Sequence, residues 1–141
     1  MYLSIKGKGF SEYIFKEISV VTDHALLDIN SVKYDDNNKY VVFFINRFEL
    51  TFLKKRLFES IVIPKYDKTH RIKSKISVGN IINFRVENNY TNKESETSLE
   101  RGLYISDNNI YICSMEEDQG NTMYSISIDV SELDITITDV K

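Results

Sequence analysis

Two short acidic stretches are the first candidates for chemistry in this sequence. Residues 35–38 read Asp-Asp-Asn-Asn and residues 106–109 read Ser-Asp-Asn-Asn, so each offers the carboxylate and amide oxygens that Ca²⁺ prefers. A calcium-binding loop also requires spaced acids, a central glycine and a distal bidentate Glu, which both stretches lack. Asp and Asn side chains hydrogen-bond to their own backbone and tolerate left-handed conformations. We therefore interpret both stretches as hairpin turns and expect no metal ion there.

Histidine and cysteine are the next residue types that could do chemistry. General acid-base catalysis most often uses histidine, but His24 and His70 accompany no recognisable Ser or Cys nucleophile motif. The single cysteine, Cys113, falls in a predicted strand, where a free thiol is more often a small buried side chain than a reactive thiolate. An enzyme would need one histidine within about 3 Å of Cys113 or a carboxylate in a concave pocket. We expect no catalytic residue and no cofactor.

Charge is segregated along the chain. Residues 47–75 hold nine cations and three anions, a net charge of +6, whereas residues 86–141 hold three cations and twelve anions, a net charge of −9. If Arg71, Lys73 and Lys75 project from one strand face, their cations form a ladder with a spacing of about 6.6 to 6.8 Å, close to that of phosphate repeats. Such a ladder is a candidate binding surface for an anionic partner.

The basic segment admits three interpretations. Cations interleaved with Phe52, Phe58 and Tyr66 are typical of surfaces that bind single-stranded nucleic acid. The cationic strand could instead pair with acidic strands bearing Asp129 and Asp134. Patches of opposite charge could also orient a protein partner. A net charge of −3 and a pI near 5.4 disfavour a dedicated nucleic-acid binder.

These observations predict a non-catalytic macromolecule-binding domain. Its partner is expected to be another protein or a second copy of the chain, because exposed strand edges can pair with a further strand. Single-stranded nucleic-acid binding through residues 54–75 is the alternative. The predicted contact residues form a basic patch, Lys54, Lys55, Arg56, Arg71, Lys73 and Lys75, and an acidic patch, Glu116, Glu117 and Asp118.

The surroundings of the protein are predicted from its apolar runs and its cysteine content. No apolar run approaches the roughly 20 residues of a membrane span, and the first residues lack the apolar core of a secretory signal. One cysteine excludes an intramolecular disulfide, which fits a reducing compartment. We expect a soluble, cytoplasmic protein that makes no membrane contact.

The elements that must position these residues are mostly strands. The chain contains 18 Ile and a single Ala, which favours pleated sheet over helix. Its 141 residues fit one domain, with a polar, mobile loop at about 88–101. The prediction is an all-β, mostly antiparallel β-sandwich or open barrel of about nine strands. The alternative is an α+β fold with one helix near residues 48–59, where Leu50, Leu53 and Leu57 have helical spacing.

Alternation of apolar and polar residues predicts the individual strands. The clearest one runs from residue 71 to residue 87, with a bend or break at Gly79-Asn80 and a core face that includes Ile82, Phe84 and Val86. A further strand is predicted over residues 58–63, ended by Pro64. The remaining strand predictions cover residues 12–21, 25–34, 40–52, 123–130 and 133–140, together with residues 103–115, which are predicted to fold back at their own turn.

Overall fold

Two antiparallel sheets pack against each other in the computed structural model, which describes residues 2–7, 12–54, 62–115 and 120–140. The first sheet contains β1 (Tyr2–Gly7), β2 (Leu26–Asp28), β3 (Lys33–Asp35), β4 (Tyr40–Lys54), β5 (Val62–Val78), β7 (Glu96–Ser98) and β11 (Leu133–Asp139). The second sheet contains β6 (Ile81–Asn88), β8 (Tyr104–Ser106), β9 (Asn109–Met115) and β10 (Thr122–Val130). One α-helix, α1 (Glu12–Thr22), and a 3-10 turn (Ile29–Ser31) complete the described elements. The all-β, sandwich-type prediction is confirmed.

Strand order and register place the core between the two sheets. The first sheet has the order β1-β11-β5-β4-β2-β7, with β3 also pairing with β4, and the second has the order β6-β10-β9-β8. Across the first sheet, Ile5 pairs with Ile135, Ile135 with Val78, and Val78 with Val41. All four side chains are buried. Because side chains on a strand alternate between faces, the other parity of these strands forms the outer, solvated face of the sheet.

The two acidic stretches are turns, as predicted. The Asp35 carboxylate accepts hydrogen bonds from the backbone amides of Asn37 (3.0 Å) and Asn38 (3.1 Å) and from the Asn38 side chain (2.8 Å). The Asn38 side chain contributes most to lowering the pKa of Asp35, and these backbone amides lower it further. Lys39 and Asp107 have positive φ angles of 57° and 51°. The Asp35 carboxylate therefore stabilises the turn by hydrogen bonds within residues 35–38.

Residues 12–21 form a helix, so the strand prediction there was wrong. Ile18, Val21 and Thr22 are buried, and spacings of three and four place them on one helical face. The Thr22 hydroxyl donates to the Ile18 carbonyl (2.8 Å) and accepts a hydrogen bond from the Leu103 amide (2.7 Å). Contacts with the residues that precede β8 thus stabilise the last turn of α1. The alternation of apolar and polar residues within 12–21 could not reveal these contacts, because they come from a distant part of the chain.

Three further predictions differ from the structure in detail. Residues 25–34 are divided into β2, the 3-10 turn and β3, which raises the strand count to eleven within the described residues. β4 continues as a strand to Lys54, so the alternative helix is wrong for residues 48–54, while residues 55–59 lie outside the described residues. β5 does not end at Pro64, which lies opposite Phe52. β11 pairs only with residues 74–78 of β5, so Pro64 occupies a part of β5 where the loss of an amide donor is tolerated.

The polar segment predicted at 88–101 is not entirely a loop. β7 lies within it and pairs with β2, and Thr97 and Leu99 are buried. Its mobility stays a prediction. None of the helices in the described parts of the chain is long and apolar enough to cross a membrane.

The strand predicted from 71 to 87 breaks at Gly79-Asn80, one of the two outcomes predicted there, and its two parts lie in different sheets. β5 ends at Val78, Asn80 adopts a positive φ of 56°, and β6 begins at Ile81. Beyond the break, the predicted core face is only partly buried: Phe84 packs against the core, whereas Ile82 is 67% exposed and Val86 is 44% exposed. β6 is the terminal strand of the second sheet, and a bulge opposite Asp129 and Val130 leaves Ile82 without a paired residue on β10.

Two glycines with similar backbone angles provide a test of how α1 is positioned. Gly102 has a φ of +69°, and a Cβ there would lie 2.7 Å from the Ser19 carbonyl oxygen of α1; Gly120 has a φ of +68° and open space around it. We expect Gly102→Ala to lower the free energy of unfolding by about 3 kcal/mol, because it adds overpacking to the left-handed strain. Gly120→Ala should cost only about 1 kcal/mol. Urea denaturation would measure both, and equal losses would contradict the close approach of α1.

Candidate functional site

The clearest candidate site is a row of cations on the outer face of the first sheet. Arg71, Lys73 and Lys75 are exposed on β5. The residues between them, Ile72 and Ser74, are half-buried and buried. The three cations therefore project from one strand face, and we call them the basic ladder. The sequence predicted such a ladder if these three side chains shared one strand face, and they do.

Aromatic rings on the neighbouring strand support the basic ladder. The Arg71 guanidinium lies 4.0 Å from the centre of the Phe48 ring and donates a hydrogen bond to the Asn46 carbonyl (2.8 Å). The Lys73 ammonium lies 5.0 Å from the centre of the Phe44 ring. Both rings are half-buried on β4. Each cation–π contact at an exposed site contributes about 0.5 to 1 kcal/mol and restricts the long side chain to a defined position.

The basic ladder is not neutralised by neighbouring acids. Lys75 lies between Phe44 on β4 and Thr138 on β11, and Lys73 lies opposite Asn46. In the described ranges, no carboxylate forms an ion pair with any of the three cations. Of the two acidic strands considered as partners of the cationic strand, β11 does pair with β5, but its Asp134 lies opposite Lys6 on β1. Asp129 lies in the second sheet, so neither carboxylate forms a cross-strand charge pair with the ladder. The positive charge of the ladder is left available to a partner.

The other predicted contact residues cannot be placed on this face. Lys54 ends the described part of β4, and nothing is described of its side chain. The remaining residues of the two predicted patches lie outside the described residues: Lys55, Arg56, Glu116, Glu117 and Asp118. The site is therefore defined by the three residues of the basic ladder and the two phenylalanines beneath them.

One cation of the basic segment has a structural position that the charge pattern did not reveal. Arg47 is buried, and its Nη2 donates to the Asp139 carboxylate oxygens at 3.0 and 2.9 Å. Its Nε donates to the Ser74 hydroxyl at 3.1 Å, and that hydroxyl donates to Asp139 at 2.8 Å. A signal was present in the sequence: Arg47 continues the parity of Phe43 and Ile45, so it had to point into the core.

The hydrogen bonds and the charge around Asp139 favour its ionised form. Burial by itself raises the pKa of Asp139, but the hydrogen bonds that its carboxylate accepts, those from Ser74 and Arg47 among them, and the guanidinium charge together lower it further than burial raises it. The pKa of Asp139 is therefore below its ordinary value of 3.8. The pair has a structural role, because the buried guanidinium and the carboxylate bond to one another.

A polar groove crosses the outer face of the second sheet. Its volume is about 660 Å³, and its lining consists of Phe84, Arg85, Val86, Glu87, Tyr111, Ser125 and Ser127. Burial raises the pKa of Tyr111 and, nearby on β9, that of the half-buried Cys113. Both groups are therefore protonated at neutral pH, and a protonated thiol is a weak nucleophile.

The histidines do not complete a recognisable catalytic arrangement. His24 Nδ1 lies 2.9 Å from Asp23 Oδ1, but this pair lies on the turn after α1 and is not among the residues that line the groove. His70 is exposed on β5. Among the described residues, no three His, Cys, Asp or Glu side chains are grouped so that they could hold a metal ion. Comparison with protein-family models, curated proteins and solved structures gives no match to this chain.

The buried ion pair gives a prediction about stability and pH. Asp139→Asn should lower the free energy of unfolding by about 3 kcal/mol at neutral pH, because it leaves the Arg47 guanidinium buried without its counter-charge. Since the folded-state pKa of Asp139 is lowered, its contribution is present above the unfolded value of 3.8 and is lost as the pH falls through the folded value.

Urea titrations of wild type and Asp139→Asn across the acidic range would measure this gap. We expect the difference in unfolding free energy to shrink below about pH 4. Carboxylates common to both proteins cancel in the comparison. A gap of constant size at every pH would show that Asp139 stabilises the protein by packing and not by its charge.

Proposed function

We propose that this protein is a non-catalytic binding domain whose basic ladder contacts an acidic, extended segment of a partner protein. The observation that carries the proposal is the arrangement of Arg71, Lys73 and Lys75 on one face, exposed and unpaired with any described carboxylate. Such a surface attracts anions and orients them before close contact forms.

The spacing of the basic ladder favours an extended peptide. Alternate residues of a strand repeat every 6.6 to 6.8 Å or so, and this holds for the ladder and for any extended segment laid along it. A partner with acidic residues at alternate positions would therefore match the three cations residue for residue. The contacts of Arg71 with Phe48 and of Lys73 with Phe44 reduce the side-chain entropy that such binding would otherwise cost.

Two features support a protein partner over nucleic acid. Proteins that bind single strands stack bases on open aromatic faces, but the described rings beside the ladder, Phe44 and Phe48, are half-buried and already contact Lys73 and Arg71. The chain as a whole carries a net charge of −3, whereas a dedicated nucleic-acid-binding domain is expected to be basic. We further propose a soluble protein in a reducing, cytoplasmic compartment, which the presence of one half-buried cysteine supports.

Single-stranded nucleic acid along residues 54–75 is the second candidate. The ladder spacing that fits an acidic peptide is also close to the repeat of backbone phosphates, so geometry alone favours both ligands. The two candidates differ in salt dependence: three phosphate contacts on a single strand correspond to a slope of about −2 in log K against log salt. Between 50 and 200 mM salt, that slope weakens binding by roughly twentyfold.

The proposal predicts binding of an acidic peptide that depends on the ladder. A fluorescein-labelled peptide alternating Glu and Thr should bind the wild-type protein in an anisotropy titration, and more weakly as salt rises. Lys73→Glu/Lys75→Glu should weaken this binding at least about tenfold, since it replaces two attractions with two repulsions. A labelled oligothymidine of similar length should show no binding that depends on the ladder.

The matched control is Lys93→Glu/Arg101→Glu, which makes the same change in net charge at two exposed positions outside the ladder. We expect this variant to bind the peptide like the wild type. Equal weakening in both variants would show only a net-charge effect and would contradict the proposal. Oligothymidine binding that is lost in the ladder variant alone, with the steep salt slope, would establish the nucleic-acid alternative instead.

A further inference from the structure

The free edge of the second sheet is a second surface with the character of an interface. β6 ends the sheet and pairs only with β10 among the described strands, and six of its eight residues are exposed. Exposed strand edges ordinarily carry features that prevent pairing with another chain. β6 has two such features, the bulge at Ile82 and the charges of Arg85 and Glu87. Those two charges are of opposite sign and lie on either side of Val86, which is 44% exposed.

The charges of β6 are complementary to those of a second β6. In an antiparallel pair with a two-fold axis at Val86, Arg85 of each copy lies opposite Glu87 of the other, and the two Val86 side chains meet on the opposite face. Arg85 and Glu87 share the outer face of the sheet with Ser127 and Ser125, their partners on β10. The two cross-strand ion pairs would therefore form on the solvated face.

Neighbouring registers are disfavoured by the same residues. An axis at Arg85 places two arginines opposite each other, and an axis at Glu87 places two glutamates opposite each other, which is destabilising. If the axis instead lay between Val86 and one of its neighbours, Val86 would lie opposite a charged residue. The core face of one sheet would then be on the same side as the solvated face of the other. Hydrogen-bonded and non-hydrogen-bonded pairs alternate in antiparallel sheets, and a two-fold axis can pass through either kind. The axis at Val86 is thus selected by charge.

We propose that the protein forms a two-fold dimer through antiparallel pairing of β6 with β6 of a second copy, which joins the two four-stranded sheets into one of eight strands. The proposal is independent of the basic ladder, which lies on the other sheet. It commits to a second copy because the sequence of β6 is self-complementary in charge. The bulge at Ile82 limits pairing to the part of β6 beyond it, which keeps the sheet from extending along its whole edge.

Sedimentation equilibrium on the full chain over a range of concentrations tests the dimer. Wild type should show a reversible monomer–dimer equilibrium. Arg85→Glu and Glu87→Arg should each raise the dissociation constant at least about tenfold, because every substitution acts twice across a two-fold axis. The double variant Arg85→Glu/Glu87→Arg should return to within about threefold of the wild type, because the two ion pairs re-form with reversed polarity.

Charge reversals outside β6 provide the controls for the dimer. Lys93→Glu and Glu94→Arg reverse single exposed charges outside β6 and should leave the dimer unchanged, as should Lys73→Glu/Lys75→Glu in the ladder. Circular dichroism would confirm that each variant is folded. A wild type that stays monomeric at every concentration overturns the proposal and leaves the edge to a strand from a different protein. A dimer that neither single variant weakens, or that the double variant fails to restore, also overturns it.

Discussion

The pairing of β4 with β5 is the constraint on which the rest of the structure depends. The two strands pair from Val41 opposite Val78 to Lys54 opposite Val62, with one irregularity after Phe48. Because side chains alternate, this register decides at once which residues enter the core and which face water. The same register brings Ser74 and the inward-pointing Arg47 within hydrogen-bond distance, and it lays Arg71 and Lys73 beside the two phenylalanines on the outer face.

Cations on the two faces of this strand pair are stabilised in different ways. Arg47 points inward and is bonded to a carboxylate, which offsets the cost of removing its charge from water but leaves nothing for a partner. Arg71 and Lys73 point outward, where the phenylalanine rings hold the side chains without neutralising them. The net charge of a sequence segment therefore overstates the charge that the segment can present to a partner, because a cation contributes only if it lies on the outer face.

The sequence predicted the elements whose signals are local and periodic. β10 and β11 have long, regular alternation, and both were located from it. The helix α1 was missed because its buried face depends on contacts with the chain near Leu103. The exposure of Ile82 and Val86 could not be predicted, since alternation shows that a residue is apolar at a given parity and does not show that its strand lies at an edge. Likewise, Arg47 and Asp139 each continue an apolar parity, but only the strand order brings them together.

The two proposed surfaces are compatible with each other because they belong to different sheets. A two-fold axis at Val86 would run perpendicular to the second sheet, so it leaves the outward direction of the first sheet unchanged in both copies. The two basic ladders of the dimer would then face the same way. A partner with two acidic segments could engage both, and its second contact would form at a high effective concentration. Weak ion pairs on one exposed ladder, each worth less than about 1 kcal/mol, would in this way add up to selective binding of a partner that is itself divalent.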